Sequence, residues 1–326
     1  MSAARAIGLL LGVAADGMFG QAGQRAPIAR FDRAARRLER AVYADSRARG
    51  LAYTAALTGS AVLAGSLVER VGRRHPLLRV ATTAATTWLV LGGKSLAAEG
   101  TALGRELDSG ALRDARERLP RLCGRDAGAL DATGLAKTAV EAVAQRTSDR
   151  VIGPLLWGAL AGVPGLLGYH AVTTVDDVVG HPSPRHRRFG WASAKLDDVV
   201  NLVPARAAAA LTVAGAPVVG GSARESWQAW RRDAAAHPNP NAGRVEAAFA
   251  GALEIRLGGR TVHAYGVEER PVLGAGRSPD AGHVRRAVEL SRVVGALGGV
   301  AASVLAIGFG GLPRRRIALA ARRVAR

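Results

Sequence analysis

The densest set of chemically capable groups lies in residues 173–204. Asp176 and Asp177 precede Gly180, and an arginine-rich connection then leads into Phe189-Gly190-Trp191-Ala192-Ser193-Ala194-Lys195-Leu196-Asp197-Asp198-Val199-Val200-Asn201. Ser193, Asp197 and Asn201 recur every four residues, so a helix would align them as one polar stripe with Asp198 on the neighbouring face. The segment opens directly into an apolar run after Pro204, with Arg206 at its start. Acids beside a membrane-length apolar segment are costly unless solvated, paired or bound to metal, which makes them candidate site residues. A second constellation is Glu141, Gln145, Ser148 and Asp149, at offsets of zero, four, seven and eight. Two carboxylates on one helix face could hold Mg²⁺, which takes oxygen ligands and shares them with phosphate. The same spacing also describes an ordinary solvated face.

Other motifs exclude chemistry. Gly92-Gly93-Lys94-Ser95 looks like the end of a phosphate-binding P-loop, but that motif needs a glycine where Trp88 stands, and Thr86, Thr87, Leu89 and Val90 read as helix. No HExxH pattern or nucleophile-elbow signature is present. The single cysteine, Cys123, rules out an intramolecular disulfide and any cysteine-cluster metal site, and suits a reducing compartment for the polar parts.

The elements that must position these residues are helical and apolar. Hydrophobic residues make up 48% of the chain but aromatics only 4%, so the apolar content is chiefly Ala, Val and Leu, which suits helices better than a dense soluble core. Candidate membrane segments are residues 6–20, 51–68, 77–98, 151–172, 205–221 and 288–312, against the roughly 20 apolar residues that a crossing needs. The run 51–68 has no charge and stops at Glu69 and Arg70, as at a membrane boundary. Only Arg5 precedes the first run within its flank, and no small-residue cleavage site follows it, so it reads as a retained segment. The polar stretches 99–150, 173–204 and 222–287 carry the chemistry. A turn is expected near Gly124 and a loop over 234–243. If 151–172 and 205–221 both crossed, 99–150 and 173–204 would face opposite sides; Pro154 and Pro164 make 151–172 the segment expected to re-enter or pack within the protein. The expected architecture is an all-α, multi-pass membrane bundle over residues 1–312 with a basic tail at 313–326.

The formal charge of +19 is concentrated: eight arginines lie between Arg25 and Arg49, and six more lie in 313–326. Both clusters adjoin apolar runs, as the positive-inside rule expects on cytoplasmic flanks. Without aromatic-interleaved basic patches or zinc-finger spacing, nucleic acid is not the expected partner; membrane lipid is.

Taken in order, several blocks resemble the adenosylcobinamide-phosphate synthase family, the cobalamin-biosynthesis proteins called CobD or CbiB, over almost the whole chain. They are Gly93-Lys94-Ser95-Leu96-Ala97, Gly124-Arg125-Asp126, Val140-Glu141 through Thr147-Ser148-Asp149, Ile152-Gly153-Pro154-Leu155, Tyr169 through Asp176, and Val179-Gly180. They continue with Gly190 through Asp198 to Asn201, Pro204-Ala205-Arg206, Pro240-Asn241-Ala242-Gly243, Glu246-Ala247-Ala248, and Ala250 through Leu253 to Leu257-Gly258-Gly259. The order and spacing are more specific than any single block.

The resemblance implies an ATP-dependent ligase in the cell membrane with a cytoplasmic site. It would join aminopropanol phosphate to the free propionate of adenosylcobyric acid as an amide, beside other corrinoid-pathway enzymes. A carboxylate is a poor acyl donor; ATP would convert it to an acyl phosphate while Mg²⁺ neutralised the phosphates. On that resemblance Glu141, Asp149, Asp176, Asp197 and Asp198 are catalytic candidates, with Asp197 and Asp198 as metal ligands. Arg125, Asp126, Lys195, Asn201, Arg206, Asn241 and Glu246 would bind substrate. Departures from the family pattern include Gln145-Arg146 for Glu-Asn, Arg150 for Gly, Thr173 for Asn, Asp177 for Ser and Arg244 for Trp. The alternative is a non-catalytic membrane scaffold or corrinoid-binding subunit.

Overall fold

The apolar runs fold as helices that end where the sequence supplies a break. The structure, a computed structural model, describes residues 2–20, 25–124, 127–180, 183–263 and 266–311. Helix α1 (Ser2–Phe19) leads to the basic amphipathic α2 (Arg25–Val42), and α3 (Arg47–Gly72) and α4 (Pro76–Val90) form the next antiparallel pair. The polar helices α5 (Gly93–Asp108), α6 (Leu112–Cys123) and α7 (Ala132–Thr147) follow. Gly124, in the left-handed region at φ 69°, closes α6, and the Asp131 carboxylate caps α7 by accepting from Gly134 N at 2.7 Å. A π-helical turn (Ser148–Ile152) then leads into α8 (Gly153–Ala161), α9 (Val163–Val179), α10 (His186–Phe189), α11 (Trp191–Val200) and α12 (Leu202–Gly215). After α13 (Ala223–Asp233) and α14 (Ala242–Leu253) comes a hairpin of β1 (Leu257–His263) and β2 (Gly266–Leu273), and α15 (Ala281–Gly311) ends the described chain.

The expected all-α multi-pass bundle is what forms. Among the described residues four helical segments are long and apolar enough to cross a membrane: Ser2–Phe19, Arg47–Gly72, Leu202–Val219 and Ala281–Phe309. Their outward faces carry apolar side chains such as Leu63 and Val304, 68% and 65% exposed, which lipid would cover. Small residues let these helices close up. Gly8 faces Thr83 and Gly12 faces Thr87, so α1 and α4 run parallel. Gly65 faces Pro164 and Gly168 faces Val62, so α3 and α9 run antiparallel.

Two expected segments are broken. The 77–98 run divides at Leu91–Gly92, where α4 stops and α5 begins in a new direction. The 151–172 run is a helical hairpin: Gly153 meets Tyr169 and Gly158 meets Leu166 across the α8–α9 pair, which turns at Gly162 with φ +71°. Glu69 fixes that turn. Its buried carboxylate accepts from Val163 N at 3.1 Å and pairs with Arg5, Arg73 and Arg79 at 3.3–3.4 Å. The hairpin returns the chain to the end from which it descended, so residues 99–150 and 173–204 meet on one side.

That side is the α2 end. Helix α15 runs antiparallel to α1, with Ser303 Oγ donating to Ala6 O at 3.2 Å and Gly299 facing Val13, and therefore exits at the opposite end. The second arginine cluster, 313–326, lies outside the described residues. The β-hairpin was not expected in the polar stretch 222–287. Its strands pair antiparallel from Leu257↔Leu273 to His263↔Gly266, with a bulge at Gly258–Gly259.

Candidate functional site

Helix α7 runs on into the π turn, and the eight residues from Glu141 to Asp149 set them about 12 Å apart along the axis, so Asp149 does not lie beside Glu141. Asp149 lines a cavity of about 230 Å³ with Asp176 and Asp177 from α9 and Asp197 from α11; Gln145, Arg146, Arg150 and Thr173 complete most of the wall. A smaller void of about 20 Å³ adjoins it, sharing Gln145, Asp149 and Asp197 and adding Ser148, Asn201 and Asn241. Asn241 Oδ1 is buried there without a hydrogen-bond partner among the described residues. The void has the size and polarity of a single water site.

The surroundings lock these groups in place. Tyr169 OH donates to Asn201 Oδ1 at 2.6 Å, and Asn201 Nδ2 donates to Asp197 O at 3.1 Å, tying the end of α11 to the middle of α9. Asn241 Nδ2 donates to Asp198 O at 2.7 Å. Ser193 Oγ donates to Asp176 Oδ1 at 3.4 Å. A Cβ at Gly180 would lie 1.8 Å from Asp176 Oδ1, so only glycine leaves room for that carboxylate.

Electrostatics follow from packing acids together. Burial pushes the Asp149 carboxyl up to about 6, against the pull of Arg146 and Arg150 and with the opposition of Asp177. Burial, then the Asp177 charge, raises Asp176. Burial, then the Asp176 and Asp149 charges, raises Asp197. Such a set favours a proton or a cation in the cavity. Arg146 and Arg150 both pair with Asp177, the former at 3.6 Å. Three departures from the family pattern are therefore one cluster, in which the added acid partly neutralises the added bases.

The remaining expected residues lie elsewhere. Glu141 is not in the cavity; its carboxylate accepts from Gly258 N at 2.9 Å and pairs with Arg270 at 3.5 Å, clamping the β-hairpin to α7. Asp198 lies outside the lining of both cavities and faces Lys195 at 3.6 Å, because one step along α11 turns it away from Asp197. Lys195 is itself exposed, and Arg206 donates to Leu202 O at 2.7 Å on the exposed face of α12. Glu246 is buried against His237 at 3.5 Å. Arg125 and Asp126 lie outside the described residues. The P-loop-like Gly93-Lys94 start of α5 faces a carboxylate rather than open space: Lys94 N donates to Asp16 Oδ2 at 3.1 Å.

Among the described residues no three His, Cys, Asp or Glu side chains converge closely enough to cage a metal. The donor set fits Mg²⁺ in a different way. That ion is commonly held by one or two carboxylates plus phosphate oxygens and water, and Asp176 and Asp197, facing one polar cavity, can supply that much. Asp198 does not line that cavity, although its charge also acts on Asp176.

The CobD/Cbib protein family model matches residues 9–291. A cobalamin biosynthesis protein CobD of Mycobacterium tuberculosis is 50% identical over 304 residues, covering 93% of this chain and 95% of the relative. The protein of the same name from Geobacter metallireducens is 41% identical over 221 residues, covering 68% of each chain. The one from Chromobacterium violaceum is 35% identical over 284 residues, covering 84% and 88%. No solved structure matches.

Proposed function

This chain belongs to the CobD/Cbib family, and from that premise we propose that it acts in cobalamin biosynthesis as an ATP-dependent ligase, forming an amide between aminopropanol phosphate and the free propionate of adenosylcobyric acid. The supporting observation is the convergence of Asp149, Asp176 and Asp197, from three separate elements, on one cavity in which each holds its proton unusually tightly.

Amide formation requires an amine that arrives as an ammonium ion to lose protons. A carboxylate with proton affinity near neutral is suited to take one. On this reading an Asp197 carboxylate oxygen accepts the proton, Asp149 attracts the ammonium before it is deprotonated, and the Tyr169–Asn201 hydrogen bond keeps α11 from drifting. Asp176 would hold Mg²⁺ together with phosphate oxygens, and ATP with that ion would supply the activation that a free propionate lacks. The arginines between Arg25 and Arg49 support a cytoplasmic placement of the α2 end, where ATP would be available.

The test is to incubate the detergent-purified full chain with adenosylcobyric acid, aminopropanol phosphate, ATP and Mg²⁺ and to detect the amide by mass spectrometry. Product is expected only with all four. Absence of product in a preparation that still binds the corrinoid would favour the non-catalytic scaffold.

A further inference from the structure

Next to the acid cavity lies another of about 310 Å³, and Arg146 and Arg150 line both. Arg121 of α6 adds a third guanidinium; it is exposed and has no carboxylate partner among the described residues. The acid in this lining, Glu99, is already held by Arg118 at 3.0 Å. His170, 9% exposed, also lines the cavity, and its Nε2 is buried without a hydrogen-bond partner among the described residues. Three guanidinium groups and an unsatisfied imidazole nitrogen around one space are a recognition set for a phosphate dianion. The neighbouring cavity has the opposite character, being walled by carboxylates.

We infer that the Arg121–Arg146–Arg150 cavity binds a terminal phosphate monoester, with His170 as a further hydrogen-bond partner, and that Asp177 is the competing internal anion. The inference rests on the ligase reading for the ligand's identity. A short molecule with phosphate at one end and ammonium at the other could set its phosphate among the arginines and its nitrogen among Asp149, Asp176 and Asp197. The terminal phosphate of ATP presents the same chemistry, so the two sources need separating. Asp177 pairs with both Arg146 and Arg150 across the shared wall, and an incoming phosphate must draw them away from it.

The experiment is calorimetric titration of the full chain in neutral-lipid nanodiscs with three probes: aminopropanol phosphate, unphosphorylated aminopropanol and a non-hydrolysable ATP analogue. Arg121→Gln and Arg150→Gln are expected to weaken the phosphorylated amine by about tenfold or more, as expected for a lost charged hydrogen bond, and to leave aminopropanol unchanged. Asp177→Asn is expected to tighten it, an opposite sign that a general structural defect would not give. Arg121 is exposed, so its variant tests the inference even if Arg150→Gln fails to fold. Weakening confined to the ATP analogue would keep the phosphate chemistry and assign the cavity to nucleotide. Unchanged affinity for both phosphorylated probes in Arg121→Gln and Arg150→Gln would overturn the inference. Binding is read without turnover: a wild type that binds the phosphorylated amine but makes no amide would defeat the ligase reading and leave this one standing.

Discussion

Asp176 on α9 and Asp197 on α11 line one cavity, and after burial the charge of Asp176 is the largest influence raising the proton affinity of Asp197. This arrangement carries a cost in the empty protein, and the cost depends on pH. A carboxyl whose folded pKa lies above its unfolded value stabilises the fold fully below the unfolded pKa, and that contribution is lost as pH rises through the folded pKa. Asp149 moves from 3.8 to about 6, and Asp176 and Asp197 are raised as well, while burial lowers His170 from 6.5 to about 4, which has the opposite sign and adds stability as pH rises toward 6.5. The melting temperature of the protein without ligands should therefore fall between about pH 6.5 and about pH 8 by this linkage. Mg²⁺ with ATP should recover part of the loss at the upper end. A flat profile would contradict the clustering of acids.

Replacing one of these acids should separate stability from function. Asp197→Asn removes a buried group whose ionised form is opposed by its neighbours, so at about pH 8 the variant should melt no lower than wild type, and by the same linkage higher. Its ligase turnover should be lost. Thermal unfolding and product formation on one preparation check both, and a variant that melts lower would make Asp197 a structural acid.

Gly180 tests the positioning of Asp176. A methyl at Gly180 would sit 1.8 Å from Asp176 Oδ1 and 2.9 Å from the Asp176 carbonyl oxygen, so Gly180→Ala must swing the carboxylate out of place. We expect turnover to fall about 10²-fold, the scale associated with a misplacement of about 1 Å, while the helical circular dichroism signal persists. Wild-type turnover would mean that Asp176 does not need this geometry.

Much of the scaffold was legible because apolar runs without charge leave few alternatives: 6–20, 51–68, 205–221 and 288–312 coincide with the four membrane-length segments. The two that broke did so at Gly92 and Gly162, where contacts from distant residues, Arg150 O and Glu69, stabilise the break. The β-hairpin was missed because its strands gain their partner from α7, through Lys137 and Glu141, rather than from any strong local alternation. Within the site, the helical stripe identifies Asp197 and Asn201, whereas the spacing of Glu141 and Asp149 groups two residues that two helical turns hold about 12 Å apart along the axis. The pairing of Arg146 and Arg150 with Asp177 joins residues 27 to 31 positions apart, and spacing along one helix cannot reveal it.

Glu141 should accordingly behave as a clamp. Glu141→Ala leaves Gly258 N without its acceptor and Arg270 without its buried partner, and breaking such a pair costs about 3–5 kcal/mol. The variant should melt at lower temperature and be cut more readily by protease in the β1–β2 hairpin. Turnover per folded molecule should be retained. Wild-type stability with lost turnover would return Glu141 to the catalytic set.

Two adjacent residues decide whether the cavity joining Asp149, Asp176 and Asp197 is the centre of an amide ligase. Asp197 lines the cavity and Asp198 faces Lys195 outside it. Amide formation from adenosylcobyric acid, aminopropanol phosphate, ATP and Mg²⁺ should be measured for Asp197→Asn and Asp198→Asn side by side. We expect turnover to fall at least about 10²-fold in the first, the lower range for a lost general base, and to stay within a few-fold of wild type in the second. Equal loss in both, or full activity in Asp197→Asn, would contradict this reading.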